Sequence, residues 1–256
     1  MRDTNHISKS LVFGGRPARN GVSSALMIAL GATGVNNILS GDDNFFMAMS
    51  PKADPSKLLA KLGERYEVTR TNIKKWTVGS PIQAPLDGLE NLRRRRPFEA
   101  DDVKSVVVRV ASSEAKTVDN RTMANISLQH LMAVMLLDKT VSFNASHDDA
   151  RMQDPAVLRQ RAKVQLIHDE ALERLYPQRQ SIVEITFNDG TTLTERVTAV
   201  SGTAENPMTR EQVSRKAGDL MTPYLGADKC ARLIASILDL ENVGDIRTLR
   251  PLLQRT

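Results

Sequence analysis

Apolar positions in this chain follow helical spacing near both ends and strict alternation in the middle. In residues 18–31, Val22, Ala25, Leu26, Ala29 and Leu30 fall on one face, and Gly31 and Gly34 close the segment, which predicts a helix rich in small residues. Residues 36–56 read as loop or short helix, and a short helix follows near Leu58 to Leu62. Ser80, Pro81 and Gln83 supply an N-cap, a first-turn proline and the capping-box partner, so a helix is expected from Pro81. Its Ile82, Leu86, Leu89 and Leu92 share a face that packs on a core and holds the preceding loop still.

The middle of the chain changes period. Val103 to Val110 alternates and is β-branched, as a strand requires. The segment ISLQHLMAVMLLD reads as a helix buried on most sides, and a shorter helix is expected from Pro155 to Arg161. Val183, Ile185 and Phe187 alternate, Asp189-Gly190 makes a turn, and Leu193 and Val197 carry the apolar face back as a hairpin. Thr209 and Gln212 form a second capping box that opens a helix through Met221, and ADKCARLIASILDL supplies another. The chain is therefore α+β, reading as helical, then mixed, then helical.

Composition narrows this picture. At 256 residues with 41% apolar content, the chain can bury a full core. Its 10 methionines against few aromatics point to packing by aliphatic side chains and Met. The single cysteine, Cys230, excludes an internal disulfide and sits in an apolar helical run, where a buried inert thiol is expected. The N-terminus lacks an apolar signal core and no window is long enough to span a bilayer, so a cytoplasmic location with no membrane partner is the expectation. The net charge of +5 and the run Arg93 to Arg96 raise a nucleic-acid reading. No aromatic interleaving, zinc spacing or recognition-helix pattern goes with them, and the run ends a helix where cations complement the dipole, so no nucleic-acid partner is expected.

Candidate chemistry concentrates in residues 72–89, where Lys74, Lys75 and the only tryptophan, Trp76, precede the capped helix. Two adjacent ammonium groups beside an indole suit pairing with a substrate carboxylate, or lowering of one lysine's pKa. A solvated lysine pair with Trp76 as a core anchor is the alternative. Upstream, SKSLVFGGRPARNG reads as a glycine-rich turn leading into a helix N-terminus, with Lys9, Arg16 and Arg19 nearby. Free backbone N–H groups and those cations suit a carboxylate or phosphate, although the pattern matches neither a P-loop nor a dinucleotide fingerprint. Asp42 and Asp43 lack metal-ligand spacing. None of His6, His130, His147 and His168 is spaced for a metal, and none is expected. His130 reads as a core histidine, while His147 is the better acid–base candidate of the four or else a surface residue.

In order and spacing, the blocks KSLVFGGRPARNGVSSALMIALGATG, IKKWTVGSPIQAPLDGL, DVKSVVVRV, ISLQHLMAVMLLD and NDGTTLTERV followed by NPMTREQVSRK resemble the MmgE/PrpD family. That family includes 2-methylcitrate dehydratase, cis-aconitate decarboxylase and iminodisuccinate epimerase. The resemblance implies part of an all-helical domain (1–68), an inserted α+β lid domain (69–200) and C-terminal helices (201–256) that return to the helical domain. It also implies a metal- and cofactor-free active site in the cleft between domains, working on small di- or tricarboxylates by proton abstraction beside a carboxylate. Lys9 and Lys74 match the family's lysines and would stabilise charge developing on substrate carboxylates, and Gly15, Arg16, Lys75 and Gln83 would contribute to substrate binding.

Three departures qualify this. The histidine that follows the family's first lysine is replaced here by Val12 or Phe13, Gly79 and Gln83 stand where second-block histidines are frequent, and family chains begin roughly a domain earlier. The expectation is a C-terminal portion lacking the family's acid–base aspartate and histidine, inactive by itself. It would be completed by a homodimer mate or a partner chain that supplies the N-terminal half. A non-catalytic interaction or oligomerisation module is the other reading.

Overall fold

The computed structural model describes residues 10–254, in two compact units that meet between Thr69 and Arg70. In the first unit a π-helical stretch, Ser10–Gly15, runs directly into α1 (Arg16–Ala29), followed by α2 (Phe45–Met49) and α3 (Ser56–Leu59). The glycine-rich turn expected before α1 is not a turn. Gly15 has helical dihedrals, φ −66° and ψ −43°, because Ser10 to Gly15 continue the helical path. The apolar stripe of α1 is present and uncovered: Val22 is 63% exposed, Leu26 60%, and no residue of the helix is buried.

The second unit is built on a four-stranded mixed sheet of order β2-β1-β3-β4, formed by β1 (Val103–Ala111), β2 (Val164–Asp169), β3 (Ser181–Phe187) and β4 (Thr192–Val197). The first pair is parallel and the other two are antiparallel. The long segment between β1 and β2, which a parallel pair requires, carries α5 (Ser112–Val118), α6 (Leu128–Asp138), α7 (Phe143–His147) and α8 (Pro155–Arg161). Alternation along β1 and β3 sends Val106, Val108 and Val110 and their cross-strand partners Val183 and Ile185 into the core. Onto β3 and β4 packs α4 (Gln83–Arg95), and the approach is close, since a Cβ at Gly88 would lie 2.8 Å from Val183 Cγ2. After the short α9 (Glu170–Glu173), α10 (Arg210–Leu225), α11 (Ala227–Leu238) and α12 (Arg250–Leu253) complete the chain. Here Leu233, Leu249 and Leu252 form a small separate core with Met221 and Leu225, and Cys230 is buried as expected.

Most expected elements are found within a residue or two, and three expectations are corrected. Helix α4 begins at Gln83 rather than Pro81, after a 3₁₀ turn over Ser80–Ile82 that has no side-chain cap. The Gln83 amide bonds Trp76 instead of closing a capping box with Ser80. Helix α10 runs past Met221 to Leu225 and absorbs Pro223, with the Thr209–Gln212 box intact at its start. The pattern also gave no sign of β2 or α5. In β2 only Val164 is buried, so the strand lacks the alternation that reveals a half-buried strand and is held by pairing with β1.

Each arginine of the 93–96 run has a structural partner. Arg93 donates to the carbonyls of Met135 and Leu136 at the end of α6, and to that of Phe98. Arg94 pairs with Glu90, Arg95 with Glu195 and Arg96 with Asp189. The run ties α4 to α6 and to the β3–β4 hairpin. Among the described residues, no helix is long and apolar enough to cross a membrane.

Every residue of α6 from Leu128 to Leu136 is buried, including His130, whose two ring nitrogens have no protein partner. Burial, aided by Arg161 and Arg151, lowers the His130 pKa from 6.5 to about 4. The folded state therefore keeps this ring neutral while the unfolded chain takes up a proton below pH 6.5, so the stabilising contribution is complete above that pH and lost as pH falls toward 4. At about 1.4 kcal/mol per pKa unit, denaturant unfolding at pH 7.5 and pH 5 should differ by about 2 kcal/mol on account of this residue. His130→Leu should remove that part of the difference.

Candidate functional site

The segment between Arg70 and Gly79 has no regular structure and is fixed by side chains from α4. Gln83 lies one helical turn before Asp87, and both are almost fully buried. Gln83 Oε1 accepts the Trp76 N–H at 3.1 Å while its Nε2 donates to the Trp76 carbonyl at 2.8 Å, so one amide satisfies both backbone groups of the residue. Asp87 accepts the Trp76 indole N–H at 2.9 Å and the Ser201 backbone N–H at 2.8 Å. One carboxylate thus joins this segment to the loop that leaves β4. A second junction lies at Gly202, whose carbonyl accepts the Ile73 N–H at 2.8 Å. Gly202 has φ +89°, and a Cβ there would sit 1.7 Å from the Ile73 carbonyl oxygen, so only glycine permits the approach.

These two loops wall a cavity of about 490 Å³, bordered by Arg70, Lys74, Gln83, Arg179, Ser201 and Glu205 among others. Its volume falls in the usual small-molecule range. Its charged rim has three cations, Arg70, Lys74 and Arg179, against one carboxylate, Glu205. The Lys74 ammonium donates to the Val78 carbonyl at 3.2 Å. Arg179 contacts Glu114, which is 4% exposed; burial raises the Glu114 pKa and Arg179 offsets part of that rise.

Consecutive lysines serve different spaces. Lys75 borders a second cavity, of about 520 Å³, together with Trp76, Glu90, Arg94 and Lys216. Its ammonium lies 2.5 Å from Glu90 and 4.5 Å from the centroid of the Trp76 ring. Glu90 and the indole face compensate Lys75, and Trp76 is buried as the core anchor of the alternative reading.

The remaining sequence candidates distribute as follows. Gln83 borders the first cavity, but its amide is engaged in holding Trp76. Gly15 and Arg16 lie in the first unit, in the helical run described above, and Lys9 lies outside the described residues. His147 borders neither cavity; its ring stacks on Phe143 at 4.3 Å and its Nε2 lies 3.3 Å from the Asn125 amide. Sequence reasoning missed Asp87, Arg179 and Gly202. A signal for Asp87 exists, because a polar pair spaced four apart beside the apolar stripe of α4 marks side chains that work under cover. Arg179 and Gly202 have no such signal, since only folding brings residues a hundred positions away to Lys74.

Comparison with known proteins gives a match to the MmgE/PrpD C-terminal domain over residues 76–242. Similar curated proteins include the cis-aconitate decarboxylase of Mus musculus, 25% identical over 94% of this chain and 51% of that protein. The cis-aconitate decarboxylase of Aspergillus terreus (strain NIH 2624 / FGSC A1156) is 24% identical over 93% of this chain and 53% of its own length. That of Homo sapiens is 24% identical over 94% and 52%. The chain spans about half the length of the curated relatives it matches.

Gly202→Ala combines a backbone collision with an unfavourable φ, and should cost about 2 kcal/mol or more. Gln83→Leu leaves both backbone groups of Trp76 buried without a partner and should cost a comparable amount. Urea unfolding measures both. A Gly202→Ala protein as stable as wild type would mean that the loops do not meet as described.

Proposed function

The chain belongs to the MmgE/PrpD family through its C-terminal domain, and on that premise we propose that it is the carboxylate-binding portion of a lyase or isomerase acting on a small di- or tricarboxylate. The observation that carries this reading is the first cavity, whose lining brings Arg70, Lys74 and Arg179 together around a space of small-molecule size, with Glu205 the one carboxylate in that lining and Glu114 paired to Arg179 behind it. A substrate with several carboxylates needs cations fixed before it arrives, and the Gln83–Asp87–Gly202 contacts keep the backbone beside Lys74 from yielding. In this proposal Lys74 holds a substrate carboxylate and stabilises charge that builds on it as an adjacent C–H proton departs. Arg179 and Arg70 orient the remaining carboxylates.

The base that takes that proton belongs, in this reading, to the helical half that the family resemblance implies. The exposed apolar face of α1 supports such a completion, since Val22, Leu26 and Met27 are all at least 60% exposed and a stripe of that kind is normally covered. Supplied by a second chain, the helical half would place its acid–base groups opposite Lys74. 2-Methylcitrate and cis-aconitate are the first substrates to try. The same α1 face also favours a second reading, that of a non-catalytic module which binds a partner or another copy through its helices.

Thermal unfolding of the purified chain across cis-aconitate, 2-methylcitrate and four-carbon diacids separates the two. At least one acid should raise the unfolding midpoint, because a ligand of the folded state stabilises by mass action. Lys74→Met should weaken that ligand about 10- to 100-fold, the value of one hydrogen bond to a charged group. The isolated chain should turn none of them over. Product formation by the chain alone would end the claim that it depends on another half, and self-association without any ligand effect would favour the module.

A further inference from the structure

The cavity of about 520 Å³ on the other side of the 74–77 segment is not used by the reading above. Its charged rim has four cations, Lys75, Arg94, Arg215 and Lys216, against two carboxylates, Glu90 and Asp219. Glu90 is shared, since its Oε2 lies 2.5 Å from Lys75 and 2.9 Å from Arg94, which leaves this pair of cations with one negative charge between them. Neither Arg215 nor Lys216 forms an ion pair among the described residues. The Lys216 ammonium donates to the Lys74 carbonyl, which occupies one of its three N–H donors. Loss of solvent lowers the Lys216 pKa, so its ammonium is partly desolvated while the cations of the rim outnumber its carboxylates.

We infer that this cavity is a second anion site, taking a small oxyanion of the phosphate or polycarboxylate class on Lys216 and Arg215, with Arg94 at the rim. The volume admits such a molecule, and the excess of cations over carboxylates gives it the sign. Lys216 is the physical link to the first cavity, because the ammonium that meets the anion also holds the carbonyl of Lys74. Occupancy here therefore acts on the backbone from which Lys74 projects. The inference is independent of the substrate assigned to the first cavity.

Trp76 is the chain's only tryptophan and borders this cavity, so its fluorescence reports on the site directly. The full chain is titrated with inorganic phosphate and, separately, with citrate, at ionic strength held constant with chloride, and binding heat is measured by calorimetry on the same samples. A saturable fluorescence change with at least one anion is expected. Arg215→Gln, at an exposed position that leaves the fold intact, should weaken it about tenfold, and Lys216→Met at least as much. Lys74→Met should leave that affinity within about twofold while weakening any ligand at the first cavity about 10- to 100-fold. Absence of both fluorescence change and binding heat would overturn the site. So would an Arg215→Gln protein that binds like wild type, or loss of the signal in Lys74→Met, which would put the anion in the first cavity.

Discussion

Two buried polar side chains on one turn of α4 determine how the segment carrying Lys74 and Lys75 is held. Gln83 and Asp87 lie on a helix whose other inward positions are apolar, and they are tolerated there because every bond they make satisfies another buried group. The Gln83 amide closes on both backbone groups of Trp76, and the Asp87 carboxylate accepts from the Trp76 indole and the Ser201 backbone. An irregular segment of about ten residues becomes part of the core at its centre while both its ends stay accessible. Lys74 and Lys75 are therefore held in place without belonging to any helix or strand, as a site on a loop needs when it must be both exposed and fixed.

That anchoring also separates the two lysines. Lys74 borders one cavity and Lys75 the other, and the two cavities differ in how their charge is balanced. Around Lys75 the cations have Glu90 and the Trp76 ring for company, whereas the lining of the Lys74 cavity holds one carboxylate, Glu205, and its Arg179 pairs with Glu114. Lys216 crosses between them through its bond to the Lys74 carbonyl. The basic character of the chain is thus divided into structural and accessible parts. The arginines of α4 are occupied with carbonyls and carboxylates of their neighbours, while other cations line the two cavities.

The two units differ in how much apolar surface they bury. The second has a continuous core in which Leu86, Leu89, Met132, Val108 and Ile185 are all buried, whereas α1 in the first buries nothing. A helix with an apolar stripe gains its stability from covering that stripe. The open face of α1 is apolar surface that the described residues of its own unit leave uncovered.

Local patterns were enough for the α+β class, the β3–β4 hairpin, the span of α8, the buried α6 and the capping box of α10, because these depend on neighbours within a few positions. The sequence also drew attention to the Lys74–Trp76 segment and, by resemblance, to the family. It took the folded chain to show that Gln83 clamps Trp76 rather than capping Ser80, that β2 is a strand, and that Arg179 and Gly202 line the same cavity as Lys74. The tertiary structure decided as well that adjacent lysines face different cavities. The reason is the same in each case: the partner is supplied from a distant part of the chain, and local periodicity carries no information about contacts that exist only after the sheet and α4 have packed.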